Sequence, residues 1–427
     1  MGTRERLWIF ATALILLLLR QALGAGLSEI FADGVPGYGT APGVTVQSRI
    51  HPDAEPPPYR VDGFLVKSRV EQSVGYDDNV LSGPNRRGSW LAGTSGSLLI
   101  GSGWSRDAFG VFLSAADTRY LGQPLQSRTD GTASVGGSID IGRNRLTLGL
   151  AHLSQHEDRS DLNALASDRP VGFQVDDARL SYAAVFDRLT VTPEAEISAW
   201  HYSDTTVLGQ FARQAYRDRE MLRGGTTIRY EVAPLRNIVF VARALSQHYL
   251  DPQPGQPSLN STGYQALLGL DYDDDTVWRA SILAGGETRQ FAAPRYRVHT
   301  AFIAEGALTW NPTGMTTVHA NLTRSMEDAA QEGVSGFTYT EGKIGIDHEL
   351  MRDVLVNASA GLRQAAFLQG GQQSGASAAA GVTWLFNRYA QVSATYNLNT
   401  THGTGLRNGA ATGFARDVAL LTVRLGL

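Results

Sequence analysis

The stretch Phe64-Leu65-Val66-Lys67-Ser68-Arg69-Val70-Glu71-Gln72-Ser73-Val74-Gly75 decides the fold. Phe64, Val66, Val70 and Val74 share one parity, and Lys67, Arg69, Glu71 and Ser73 share the other. Residues two apart lie on the same side of a strand, so this is a strand with one apolar and one charged face. An amphipathic helix would carry its charges at every third or fourth place. The split recurs where Leu222, Thr226, Ile228 and Tyr230 alternate with Arg217, Arg219, Arg223 and Arg229. It returns in Gly342, Ile344 and Ile346 against Glu341, Lys343 and Asp347, and in Val354, Val356, Ala358, Ala360 and Leu362 against Asn357, Ser359 and Arg363.

Followed along the chain, the pattern gives about eighteen segments from residue 63 to residue 427, with connections of two lengths. Short turns are expected at Gly142-Arg143-Asn144, Asp187-Arg188, Asp273-Asp274-Asp275, Asn311-Pro312-Thr313-Gly314, Met351-Arg352-Asp353 and Phe386-Asn387-Arg388. Longer polar links run around Asp77 to Gly88, His156 to Gly172, Ser203 to Ala215, Leu250 to Thr262, Met326 to Gly336 and Asn399 to Gly413. Alternation of short periplasmic turns with long external loops predicts an all-β fold: a transmembrane, antiparallel, up-and-down β-barrel. The last strand alternates to the final residue through Ala419, Leu421, Val423, Leu425 and Leu427, although many such barrels end in Phe. Tyr76, Trp104, Tyr230, Tyr272, Trp278, Trp310, Trp384 and Tyr389 stand at strand ends, where interface girdles belong.

Composition agrees. Of 427 residues, 47 are glycine and 18% are charged, against roughly 25% charged in a soluble domain. With no cysteine there is no disulfide framework, thiolate metal site or cysteine nucleophile, and a formal charge of −4 argues against a grip on nucleic acid. Arg4 and Arg6, the apolar run Leu7 to Leu19 and the small residues Ala22-Leu23-Gly24-Ala25 read as a signal peptide over residues 1–24. Residues 25–62 form a leader rich in Pro and Gly, including Pro36, Pro42, Pro52 and Pro56-Pro57-Pro58, without strand or helix period. It is either a disordered periplasmic tail or a segment folding back as a plug.

The run Gly75-Tyr76-Asp77-Asp78-Asn79-Val80-Leu81, ahead of a full barrel, resembles a β-barrel porin family of Gram-negative outer membranes. Its one sharp motif is Tyr-Asp-Asp-Asn, and the resemblance covers residue 64 to the end. It implies an outer-membrane location and a link to exopolysaccharide production, and it transfers no catalytic residue.

On the barrel reading the inward faces carry Lys67, Arg69, Arg179, Arg217, Arg219, Arg223, Arg229, Arg243, Arg279, Arg289, Arg297, Lys343 and Arg363. Glu71, Glu287 and Glu305 are among the inward acids. Arg217 to Arg229 form a ladder on strand eight without equal acids on that strand, which either guides a solute or is paired across the lumen. The acids at 271 and 273–275 lack the Gly and Glu of a calcium loop, His152 and His156 make no zinc motif, and no nucleophile elbow or phosphate loop is present. The expectation is a channel and not an enzyme, with no cofactor and no metal, giving a polar solute a hydrated, charged route across the outer membrane. For the solute, the resemblance points to an exopolysaccharide. A general diffusion porin and a closed structural or adhesive barrel are the alternatives. The implied partners are outer-membrane lipid, the solute or polysaccharide, the barrel insertion machinery and periplasmic export partners, with no nucleic acid.

Overall fold

The computed structural model describes residues 35–38, 45–49, 51, 56–253, 255–274, 277–404 and 413–426. The expected signal segment and parts of the leader lie outside the described residues. Eighteen strands of 12 to 16 residues follow one another. The first nine are β1 (Phe64–Asp77), β2 (Ser89–Ser102), β3 (Ala108–Tyr120), β4 (Arg128–Ile141), β5 (Asn144–His156), β6 (Gly172–Phe186), β7 (Leu189–Tyr202), β8 (Arg219–Ala233) and β9 (Arg236–Tyr249). The second nine are β10 (Ser261–Asp273), β11 (Trp278–Phe291), β12 (His299–Thr313), β13 (Thr316–Glu327), β14 (Phe337–Met351), β15 (Val354–Phe367), β16 (Gln372–Asn387), β17 (Ala390–Thr404) and β18 (Gly413–Gly426). Each pairs antiparallel with the next, and β18 returns to β1. The sheet is a closed antiparallel barrel, as the alternation predicts. Among the described residues no helix is long and apolar enough to cross a membrane, so the crossing is made by strands.

The two faces follow parity. On β1, Val70 and Val74 are about half exposed on the outer wall, whereas Asp77 on the opposite parity is 0% exposed. The two-residue connections need a left-handed residue, which Gly142 (φ 67°) and Asp187 (φ 52°) supply. Trp278 and Trp310, register partners on β11 and β12, stack at 5.0 Å near the short-turn rim. Tyr76 and Trp90 meet edge to face at 5.4 Å toward the other rim.

Several boundaries differ from the sequence reading. Asn311-Pro312-Thr313 and Phe386-Asn387 stay within β12 and β16, because register shifts absorb the extra residues there. β17 runs on to Thr404, shortening the last loop. The connections at 103–107, 121–127, 292–298 and 368–371 are not among the links expected from the sequence, although Gly370-Gly371 is a turn signal.

Closure is made by nine register pairs, from Arg69–Gly426 to Asp77–Val418. The lower end of β1 extends beyond β18, and Tyr59–Val61 folds back to pair with Phe64–Val66, so this edge is not left bare. The Tyr-Asp-Asp-Asn motif sits at the upper end of the seam. Arg416 Nε donates to Asp77 Oδ1 and Oδ2 at 3.2 and 3.1 Å, and Arg416 Nη2 donates to Oδ2 at 2.8 Å. The Asp417 amide donates to Asp78 Oδ1 at 2.7 Å, and Asn79 Nδ2 donates to the Ala415 carbonyl at 2.9 Å. Three consecutive polar side chains of β1 and its loop thus grip three consecutive residues of β18.

Removing one partner of a buried ion pair strands the other charge, at a cost of about 3–5 kcal/mol. Asp77→Ala leaves Arg416 with Asp158 as its remaining carboxylate and should therefore lower barrel stability by the lower end of that range, about 3 kcal/mol, read as a fall in the urea midpoint of the heat-modifiable gel band. Stability unchanged within 0.5 kcal/mol, roughly the scatter of surface substitutions, would show that the seam does not depend on this pair.

Candidate functional site: the lumen

The β8 ladder faces inward, and every rung has an acid on another element. Arg217, in a 3-10 turn ahead of β8 and not on the strand, pairs with Glu157 of the loop 157–171. Arg219 Nε lies 3.3 Å from Asp328, Arg223 Nη1 3.2 Å from Glu196 on β7, and Arg229 Nη2 3.3 Å from Asp271 on β10. Two rungs also lie over aromatic faces: Arg217 is 3.9 Å from the Tyr202 ring centroid and Arg219 is 4.8 Å from that of Trp200. One strand read alone could not show this, because the acids come from neighbouring strands and from loops folded into the barrel.

Most other named cations are paired in the same way. Arg179 contacts Asp177 at 2.9 Å, Arg279 contacts Asp273 at 2.6 Å, and Arg243 lies between Glu194 (3.2 Å) and Glu305 (3.5 Å). Arg289 joins Glu287 to Asp328 at 3.2 and 2.8 Å. Glu71 accepts from Arg424 at 2.5 Å, and Arg363 stands 3.7 Å from Asp161. Arg297 is not on a strand at all: it is exposed in the connection 292–298, because β11 ends at Phe291. Lys67 and Arg69 on β1 and Lys343 on β14 are exposed on the inward parity, and none has an ion-pair partner among the described residues.

The wall is not uniformly polar. Val239, Val241, Leu267, Leu283 and Ile303 form a buried inward cluster on β9 to β12. Leu153, Val175, Trp200, Met221 and Leu245 form another on β5 to β9. On β9 both parities carry apolar residues, Val239, Val241 and Leu245 on one and Ile238, Phe240 and Ala242 on the other, so periodicity alone could not reveal this part of the wall.

The loop 157–171 reaches across the lumen. It leaves β5, yet Asn163 accepts from the Ala330 amide (2.9 Å) and donates to the Asp328 carbonyl (3.3 Å), while its own amide donates to Gln373 Oε1 on β16 (2.6 Å). Leu162 packs with Val334, Phe337, Ala365 and Phe367 on the far side. Asn163 has φ 73°, a conformation that Asn tolerates better than most residues. At the root of the loop, Arg416 Nη1 donates to Asp158 at 2.9 Å, which ties the loop to the closing seam. Burial alone would raise the Asp158 carboxyl, but the charges of Arg416 and Arg128 outweigh it and hold the group below the usual carboxylate range. The same contest holds Asp328 low, with Arg289 and Arg219 overcoming burial. Both depressed groups favour the folded loops above the ordinary carboxylate pKa, and that contribution is lost only as pH falls through their lowered values. Among the described residues no group of three or more metal-binding side chains converges. His152 instead contacts Asp176, and His156 contacts Asp130.

Residues 51–426 match the family model described as "Putative beta-barrel porin 2". No curated protein matches the chain. Among solved structures, the outer membrane protein OpdK of Pseudomonas aeruginosa is 13% identical with a TM-score of 0.47, covering 85% of this chain and 99% of its own. OccK2 (OpdF) of the same organism gives 12% and 0.45, with 86% and 98% covered. A BenF-like porin of Pseudomonas fluorescens Pf-5 gives 10% and 0.46, with 86% and 100% covered. Likeness at these levels carries nothing about cargo.

Asn163→Gly keeps the left-handed backbone but removes the side-chain bonds that dock the loop. Trypsin cleavage at Arg159 of the folded barrel should then accelerate by about tenfold, the factor for roughly 1.4 kcal/mol of lost docking, with the barrel band intact. An unchanged digestion rate would show that Asn163 does not hold the loop.

Proposed function

The chain belongs to this β-barrel porin 2 family of outer-membrane proteins, and from that premise we propose that it conducts an anionic polar solute by passive passage, without catalysis. Family and fold make it a channel for solutes in the outer membrane of a Gram-negative bacterium. The preference for anions rests on one observation. The β8 arginines are neutralised by acids, whereas Lys67, Arg69 and Lys343 face the lumen with no carboxylate partner among the described residues. Unpaired fixed charge in a channel with low-dielectric walls attracts counter-ions and repels co-ions, while a close ion pair presents only a dipole.

The solute class we infer is an acidic exopolysaccharide. Around the open cations the inward parity carries small hydroxyl and amide side chains, including Ser73, Ser95, Ser377, Asn397 and Thr422. Such a wall exchanges hydrogen bonds with a polyhydroxylated chain without holding any one sugar tightly, and lysine and arginine supply the field for its carboxylates. In this reading periplasmic export partners meet the short-turn rim, and the barrel needs no cofactor.

Two measurements test it. In a salt gradient across a planar bilayer, the open channel should pass anions preferentially. The triple substitution Lys67→Gln, Arg69→Gln, Lys343→Gln should lower the anion-to-cation permeability ratio by about threefold or more. Cation preference in the native chain, or a ratio indifferent to the triple change, would overturn the assignment. Uronic-acid oligosaccharides on the short-turn side should interrupt the current where neutral glucans of equal length do not. Equal block by both would return the channel to a general diffusion porin.

A further inference from the structure

We propose that the leader is a resident strap across the lumen, seated in a glycine notch on one wall and pinned to the opposite rim, and that it keeps the channel closed at rest. Val35-Pro36-Gly37-Tyr38 is a tight turn: the Tyr38 amide donates to the Val35 carbonyl at 3.1 Å, and Gly37 has φ 91°, as a Pro-Gly turn of type II requires. The turn is inside the barrel. Val35 is 1% and Tyr38 2% exposed, both packed in the cluster of Leu153, Val175, Trp200 and Met221. The Tyr38 hydroxyl reaches Asp177 of β6 twice, at the backbone carbonyl (2.9 Å) and at Oδ1 (2.7 Å).

The wall is shaped for this turn. Gly136 on β4 and Gly149 on β5 are register partners on the inward parity. A Cβ at Gly136 would lie 1.8 Å from the Pro36 carbonyl oxygen, and one at Gly149 would lie 2.6 Å from the Tyr38 ring. Neither distance is tolerable, so the turn fits only because both side chains are absent. A free periplasmic tail would place no such demand on the barrel.

The second anchor is on the other side. The Val46 amide donates to Thr317 Oγ1 of β13 at 3.0 Å, and Val46 packs with Leu355 of β15 and Leu385 of β16. Arg49 pairs with Glu349 of β14 and donates to the Gly314 carbonyl in a short periplasmic turn. β5 and β14 are nine steps apart in a ring of eighteen, which is half the circumference. Residues 35–38 and 45–49 are thus fixed to opposite walls, and both stand inside the path of a solute. The leader enters from the rim where β1 begins, so it is on the side from which an exported polymer would arrive.

The inference concerns whether current flows, not which ion carries it, and it stands independently of the anionic-solute reading: conductance tests the strap, and the reversal potential tests the cations. The experiment uses the full mature chain in planar bilayers. The native chain should be shut for most of the recording. Gly136→Val with Gly149→Val, which fills the notch with residues suited to a strand, should raise open probability at least tenfold. Tyr38→Ala with Arg49→Ala should do the same from the leader side, leaving the barrel wall untouched should the notch variant fail to fold. Because the chain has no cysteine, Val35→Cys also reports the seat directly. It should resist an aqueous thiol reagent in the native background and react readily when the notch is filled. A steadily open native channel, rapid labelling of Val35→Cys in the native background, or current unchanged by both pairs of substitutions would each overturn the proposal.

Discussion

Every backbone amide and carbonyl that faces hydrocarbon must find its partner within the protein, and the whole structure answers to that constraint. A sheet satisfies it only when closed, so the seam between β1 and β18 is the point on which the remaining seventeen pairings depend. The chain spends its sharpest motif there. Asp77, Asp78 and Asn79 fasten the first strand to Arg416, Asp417 and Ala415 of the last. Arg416 also holds Asp158, so the contact that completes the barrel roots the loop that narrows it.

A second consequence follows inside the wall. Charges in a narrow lumen keep only part of their hydration, and ions left alone there are costly. Arg217 and the arginines of β8 are therefore met by Glu157, Asp328, Glu196 and Asp271, drawn from two loops and from strands β7 and β10, and two of them are also covered by aromatic rings. The dense row of arginines is thus paired, while the sparse Lys67, Arg69 and Lys343 have no ion-pair partner among the described residues. Counting charge along a strand misjudges which cations are paired, because pairing is set between strands and loops.

Much of the architecture was legible in one dimension. The parity of Phe64 to Val74 gives a two-faced strand, and repeating it with short and long links gives the barrel and its orientation. Positions such as Arg179, Arg223, Arg243 and Glu287 fall on the inward face because parity is a local property of an extended chain. Where that locality fails, so did the reading. Arg217 belongs to a turn and Arg297 to a loop, and the register shifts in β12 and β16 absorb residues that looked like turns.

From the chain of residues alone came the alternation, the strand count, the inward and outward faces and the motif that marks the seam, all fixed by neighbours two apart or by the length of a link. The fold itself had to supply the partners of each charge, the path of the loop 157–171 to β16, and the meeting of Pro36 and Tyr38 with Gly136 and Gly149. The loop and leader contacts join residues about a hundred or more positions apart, and most of the ion pairs join one strand to another strand or to a loop. They exist because eighteen strands bend into a ring and bring distant walls within reach of one loop and one leader.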